Sequence, residues 1–518
     1  MKKKIRQIIG VVLAGTCVAS ALSACSKSSD KNTLVIDVAD LGYGTDWLYA
    51  LGEKFEELNE GVTVEIYPTT DETILTTQLM SGSSQADLMF ETWSHWYRLN
   101  TTTVIGKDSY NPILEDLTDI FKTNIPGENV TIEDKYEDYV TDYLLNKDGK
   151  YYHFSWITQH GGIIYNDKVW KDDWALPRTT DELITLCNQI KENTNGVNVP
   201  FSYSLKNSYW GMCLSAWATQ YEGIEAIKNY NNGYAPNGER YVPEMVLYDG
   251  FLKALEILED LLKPSNGYMH PSSKEDNFTD SQVRFLDGGS VMQVNGDWLQ
   301  SEMSANFSPD EVDIRMMKMP IVSSIVEKCS VVKDEAALCQ VIDFIDGVEG
   351  ASLPTGLTEE HGDVKKIKEA RNAMSADLRQ TAVIPAYSTK KDLAKKFLQF
   401  MASDTGIETF AVASGGYHPM FKFDYNIDSI KNIRSSFLNS VQDLADKALA
   451  NNTFFAANVE KNPIFFNGLS PYATDLSGGV ETYLSAENDS DYMTAQELIL
   501  RNYDCVKDKW DEYMKNIK

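Results

Sequence analysis

Three short stretches place aromatic rings beside an acid or a second ring at positions that read as loops: Glu91 with Trp93, Tyr209 with Trp210, and Asp297 with Trp298. The chemistry such pairs can do is non-covalent. A flat ring covers an apolar C–H face, while a carboxylate or amide satisfies the hydroxyls around it, and a pyranose presents both surfaces. Bond-breaking chemistry has less support. The chain holds no HExxH, GxSxG or GxxxxGK[ST] motif, and its six histidines stand singly. With 76 Asp and Glu residues, some pair of carboxylates at hydrolase spacing is unavoidable, so counting them decides nothing. No catalytic residue, cofactor or metal ligand is assigned, although one calcium site of irregular design stays open. His95, in an aromatic loop, reads either as a ligand-facing group or as an ordinary surface histidine.

The elements that must carry these residues show in the apolar spacing. Leu34–Asp40 reads as a buried strand, and Leu48, Leu51, Phe55 and Leu58 recur at helical spacing. Val62–Pro68 reads as a second strand, followed by a helix over Asp71–Met80 and a strand over Ala86–Phe90. Strand, helix and strand in about 35 residues form a βαβ unit and imply a parallel sheet. Ligands of such sheets gather beyond the carboxyl ends of the strands. Those ends carry Leu41–Gly44 and Glu91–Trp96, which makes Asp40 and Tyr43 candidates by strand-end position and Tyr417 a candidate by loop position. A second α/β region begins near Tyr151, with a strand end at Ile163–Asn166. Pro177 and the capping signature Thr179–Glu182 then open a helix burying Leu183, Cys187 and Ile190. Thr389–Asp392 opens another, with Leu393, Phe397, Leu398 and Met401 on its apolar face. The charged, aromatic-poor stretch Ile325–Asp377 reads as a helical insertion. Many of the 10 Trp and 27 Tyr must be plain core, and Trp47, Trp170, Trp174 and Trp510 are read that way.

Lys2, Lys3, Lys4 and Arg6 precede an uncharged, mostly apolar run, Ile8–Ala24, the order of a secretory signal. Leu22-Ser23-Ala24-Cys25 resembles the lipobox of bacterial lipoproteins. That resemblance implies cleavage of residues 1–24, lipidation of Cys25 as the membrane anchor, a polar tether over 25–32, and work outside the cytoplasmic membrane. The formal charge of −29 grows more negative once the four basic residues of the leader are gone. So acidic a body excludes nucleic acid as a partner. Beyond Cys17 and Cys25 the cysteines are Cys187, Cys213, Cys329, Cys339 and Cys505, an odd set without a ladder spacing. No essential disulfide is expected, and Cys329 with Cys339 is the single pair to check.

Four stretches together resemble the extracellular solute-binding proteins of carbohydrate ABC transporters, the group that includes maltose-binding protein. Gly161–Trp170 (GGIIYNDKVW) is similar to the segment after that family's first crossover. Pro177–Leu183 (PRTTDEL) is similar to its "P-x-T-W-x-E-L", with Thr180 in place of Trp. Phe285–Met292 followed by Asn295–Trp298 resembles "F-x-x-G-x-x-A-M…x-G-x-W". Ala386–Met401 with Gly415–Pro419 resembles the closing motif. The likeness spans Thr33–Pro419 without the insertion, and the last hundred residues match loosely.

The resemblance implies an α/β, two-lobed periplasmic-binding-protein-like type II fold with hinge crossings. Lobe one would be 33–157 plus 388–422, and lobe two 158–383 plus 423–518, with the insertion at 325–377. Crossings are placed near Phe154–His160, Val383–Ser388 and Pro419–Tyr425. By motif position Trp298 is the stacking ring, Asp297 stands beside it, and Tyr209 and Trp210 form the aromatic stretch. Trp93 and Glu91 match the loop after the third strand, and Gln159 a polar sugar contact. The implied partners are an oligosaccharide and ABC permease subunits, with the chain a monomer. Three alternatives stay open: a same-fold binder of a peptide, polyol or amino sugar; a lipoprotein that captures glycan without a transporter; and, from another class, a lipid-anchored glycan hydrolase.

Overall fold

The computed structural model describes residues 30–92, 113–146, 148–194, 198–207, 209–308, 311–455, 462–472, 478–488, 490–515 and 517. Cys25, Trp93 and His95 lie outside the described residues. Strand β1 (Thr33–Ala39) is buried along its whole length, in keeping with its mostly apolar run, and the burial includes Asp37. It is followed by α1 (Asp46–Leu58), β2 (Thr63–Thr69), α2 (Glu72–Ser81, capped by the Asp71 side chain) and β3 (Leu88–Thr92). β1 pairs in parallel with both β2 and β3. Two more strands complete this first sheet: β4 (Phe154–Ser155) and β10 (Gln380–Val383), in the order β2-β1-β3-β10-β4, with β10 antiparallel to β3 and β4.

The second lobe is built on β5 (Gly161–Asn166), β6 (Val199–Ser202), β7 (Ser290–Gly296) and β8 (Ile314–Met316), ordered β6-β7-β5-β8. Helices α3 (Thr180–Thr194), α4 (Trp210–Glu222), α5 (Asp249–Leu262) and α6 (Phe278–Leu286) belong to this lobe. Leu183, Cys187 and Ile190 of α3 are fully buried, the face its spacing implied. Ile464, Leu469, Leu484, Leu498 and Val506 from the C-terminal hundred residues join the same core.

Two sequence expectations are corrected. β10 belongs to the first sheet, so lobe two does not run unbroken to residue 383. The crossing expected near Val383–Ser388 comes earlier, where Asp377 and Gln159 exchange backbone hydrogen bonds of 2.9 and 3.1 Å between the lobes' sheets. A strand of four residues directly behind a charged stretch has too little pattern to read. The insertion itself is helical, with α7 (Glu335–Ile345) and α8 (Gly362–Asn372), and has its own small core of Ile325, Leu338, Ile342, Val364 and Ile367. Arg178 clips it to α3, its Nη1 donating to Asp343 at 2.6 Å while its guanidinium also pairs with Glu182. Cys329 and Cys339 are buried, separate thiols.

Past the short strand β9 (Met374–Ser375) and β10, helices α9 (Lys391–Ala402) and α10 (Asp404–Ala413) pack on α1. The chain then returns through Pro419–Tyr425, bridged to Tyr136 at Phe421, and enters α11 (Ser436–Ala450), which lies on β8. β11 (Phe454–Phe455) pairs with β9. Among the described residues no helix is long and apolar enough to cross a membrane.

Candidate binding site between the lobes

The end of β1 and the end of β7 meet on one carboxylate. Tyr43, in the loop after β1, donates its hydroxyl to Asp297 Oδ1 at 2.6 Å. The backbone N–H of His160, just before β5, donates to Asp297 Oδ2 at 3.1 Å, and His160 Nδ1 lies 3.0 Å from the same oxygen. Tyr417, ahead of the third passage, donates its hydroxyl to the Asp297 carbonyl at 2.8 Å. One residue of lobe two is thereby tied to the β1 loop of lobe one and to two of the connecting passages. Burial, reinforced by the Asp297 carboxylate, pushes the Tyr43 hydroxyl well above the usual phenol range, so it remains a donor. The Tyr43 ring meets Tyr417 edge-on at 5.1 Å and Trp156 at 5.8 Å, which fixes its direction.

Trp298 follows directly and stays half-buried. Its ring folds back across Gly296, where a Cβ would collide with the six-membered ring, so the Gly-x-Trp spacing has a steric cause. Gly42 approaches from lobe one: a Cβ there would lie 2.8 Å from Cδ1 of Trp298. Tyr209, half-buried ahead of α4, presents its ring at 78° to Trp298 with 6.1 Å between centroids. Gly42→Val is therefore expected to hold the lobes apart and lower solute affinity by about tenfold or more, since real Cβ atoms do not approach so closely. Small-angle scattering should show the variant staying extended under solute; a normal compaction would refute the steric role.

The other candidates are placed as follows. Gln159 is half-buried beside Asp377, which also holds Arg379 in a two-pronged ion pair. Asp40 is exposed at the end of β1, its backbone N–H bonded to Thr69 at 2.8 Å. Glu91 is 5 % exposed and accepts from Thr76 Oγ1 at 3.0 Å. Trp210 is corrected: at 0 % exposure it packs against Phe201 and Tyr203 inside lobe two. Tyr209 and Trp210 are neighbours at a helix start, so one points out and the other in. Tyr417 is also corrected, being buried and spent on Asp297 rather than open to a ligand. His160, Gly42, and the pair Asp377–Arg379 were missed by sequence reasoning. For His160 the available signal was its place directly after Gln159 in an expected crossing.

Burial pushes the Glu91 carboxyl up to about 8, against the opposing hydrogen bond from Thr76. An acid whose folded pKa lies above its unfolded one binds its proton more tightly when folded, so the stability tied to that proton is full below the unfolded value and is lost as pH rises through about 8. The melting temperature is expected to fall by a few degrees more between about pH 5 and 8 in the wild type than in Glu91→Gln. Parallel melting curves in the two proteins would contradict it.

Two α/β lobes joined by three passages, with a carboxylate of one lobe gripped by the other, define a two-lobed binding protein. The chain belongs to the bacterial extracellular solute-binding protein family, whose model matches residues 50–432. Solved structures of the same fold include maltose-bound MalE3 of T. maritima, with 16% identity and a TM-score of 0.55 over 92% of this chain and 99% of that one. A chitin oligosaccharide binding protein gives 14% identity and a TM-score of 0.58 over 92% and 99%. The GacH receptor of Streptomyces glaucescens gives 14% and 0.57 over 93% and 99%. A comparison with curated protein sequences finds no match.

Proposed function

We propose that the protein is the lipid-anchored binding component of an ABC importer, capturing a neutral oligosaccharide outside the cell and delivering it to permease subunits. The observation that carries this reading is the meeting of Asp297–Trp298 with Gly42–Tyr43 between the lobes. It couples a half-exposed indole, suited to the C–H face of a sugar, to hydrogen-bonding groups that hold the lobes together. The named neighbours add support, since maltose, chitin oligosaccharide and acarbose appear with them. Trp298, Tyr209, Gln159 and Asp40 are the proposed ligand contacts, Glu91 being as buried as Tyr417 and held by Thr76; Tyr43, His160 and Tyr417 position Asp297. Trp93 lies outside the described residues and keeps its proposed place by motif alone, as does Cys25 as the anchor. The protein binds, closes and docks as a monomer, and performs no chemistry.

The test is capture from a defined mixture of plant and starch-derived oligosaccharides, peptides and polyols, followed by mass spectrometry of what the protein retains and of the supernatant. Retention of one intact glycan class supports the reading. Shortened glycans in the supernatant would make it a hydrolase, and retention of peptides or polyols alone would discard the sugar.

A further inference from the structure

Beyond Asp297 and Trp298 the chain makes a single helical turn, Leu299–Glu302. The Glu302 N–H donates to the Trp298 carbonyl at 2.9 Å, so the two side chains stand one turn apart on the same face. The Glu302 carboxyl is also close to the rings around that indole. Burial, and after it the Glu302 charge, pushes the Tyr209 hydroxyl up to about 12. At Tyr417 burial and the Asp297 charge lead, and the Glu302 charge adds to them. Only half of this carboxyl is used within the fold. Gln282, fully buried on α6, donates its Nε2 to Oε2 at 2.6 Å and so fixes the direction of the group. Oε1 takes no hydrogen bond from a described residue and keeps its access to solvent. Among the described residues no lysine or arginine offsets the charge, and burial raises the half-buried carboxyl against the bond from Gln282. A carboxylate oxygen can only accept, so the group that completes it must be a donor. A pyranose lying on the indole of Trp298 would bring the hydroxyls of its rim to that oxygen. Glu91, by contrast, is sealed in lobe one and held by Thr76.

We infer that Glu302 is a specificity-determining contact of the cleft, its Oε1 taking a hydroxyl of the sugar ring that stacks on Trp298 while Gln282 holds the other oxygen. The inference rests on the reading of the cleft as a sugar site and adds the acid that reads the hydroxyl rim of that ring. Titration calorimetry at neutral pH tests it. Maltotriose, cellotriose, N-acetylated chitotriose and raffinose are titrated singly into the wild type, Glu302→Ala and Glu302→Gln, with the amine-bearing chitosan trimer as a cationic control. The neutral sugar that the wild type binds is expected to bind Glu302→Ala about tenfold more weakly or worse, through loss of a charge-assisted hydrogen bond. Glu302→Gln should recover part of that loss, because an amide can still meet both Gln282 and a hydroxyl. Affinities of the wild type and Glu302→Ala within about twofold would overturn the contact and leave the sugar reading standing. Heat from the chitosan trimer alone would overturn it by making the partner of the carboxylate an ammonium group. Heat from no titrant in the wild type would remove the sugar reading and the contact with it. If circular dichroism shows that Glu302→Ala has not folded, Glu302→Met, which keeps the length of the side chain and lacks the acceptor, takes its place under the same limits.

Discussion

Replacing Asp297 by alanine is expected to weaken solute capture by about a hundredfold, because it strands several buried donors at once, each costing ~1–3 kcal/mol when left unsatisfied. The carboxylate accepts from Tyr43 at 2.6 Å and from the His160 N–H at 3.1 Å, with His160 Nδ1 at 3.0 Å. Asp297→Asn separates shape from charge. Its amide oxygen can serve one side, but its NH2 then faces a donor on the other, so it should recover only part of the affinity. Scattering should show the alanine variant remaining extended under solute that compacts the wild type. Wild-type affinity in Asp297→Ala would show that the contact is incidental.

Trp298→Ala is expected to lower affinity by roughly 1–3 kcal/mol, or about ten- to a hundredfold, through the loss of a large apolar face in a desolvated cleft. The contrast with Trp210 sharpens this. Trp210→Ala removes a fully buried ring and should cost ~3–5 kcal/mol of stability, as large core truncations do, while each folded molecule keeps its affinity. Calorimetry and thermal melting on both variants give opposite signatures for two residues of one type. Reversed signatures, with Trp298→Ala unstable and Trp210→Ala poor in binding, would refute the assignment of roles.

That contrast also marks where sequence reading stops. A mostly apolar run specifies β1, which is buried on both faces, and a three-to-four spacing specifies the buried face of α3, because apolar surface of that extent must leave water. The Gly296–Asp297–Trp298 order stood out only through the family resemblance, and the structure supplies its steric reason, a ring folded back over its own strand end. β10 was not, because its four residues owe their place to pairing with β3 and β4, partners far off in sequence. Nor could local pattern say which of Tyr209 and Trp210 faces out, or that Tyr417 spends its hydroxyl on a carbonyl 120 residues away. His160 is the instructive omission. Its role depends on Asp297, 137 residues further on, and a lone histidine carries no mark of such a partner.

The most direct test of capture between the lobes is titration calorimetry of the chain from Ser26 onward, as wild type and as Asp297→Ala, against neutral oligosaccharides with peptides and polyols as controls. The expected result is micromolar binding of one oligosaccharide class by the wild type and loss of nearly all of that heat in the variant. Binding of equal strength in both proteins, or heat from the peptide and polyol controls alone, would contradict a sugar held by closure on Asp297.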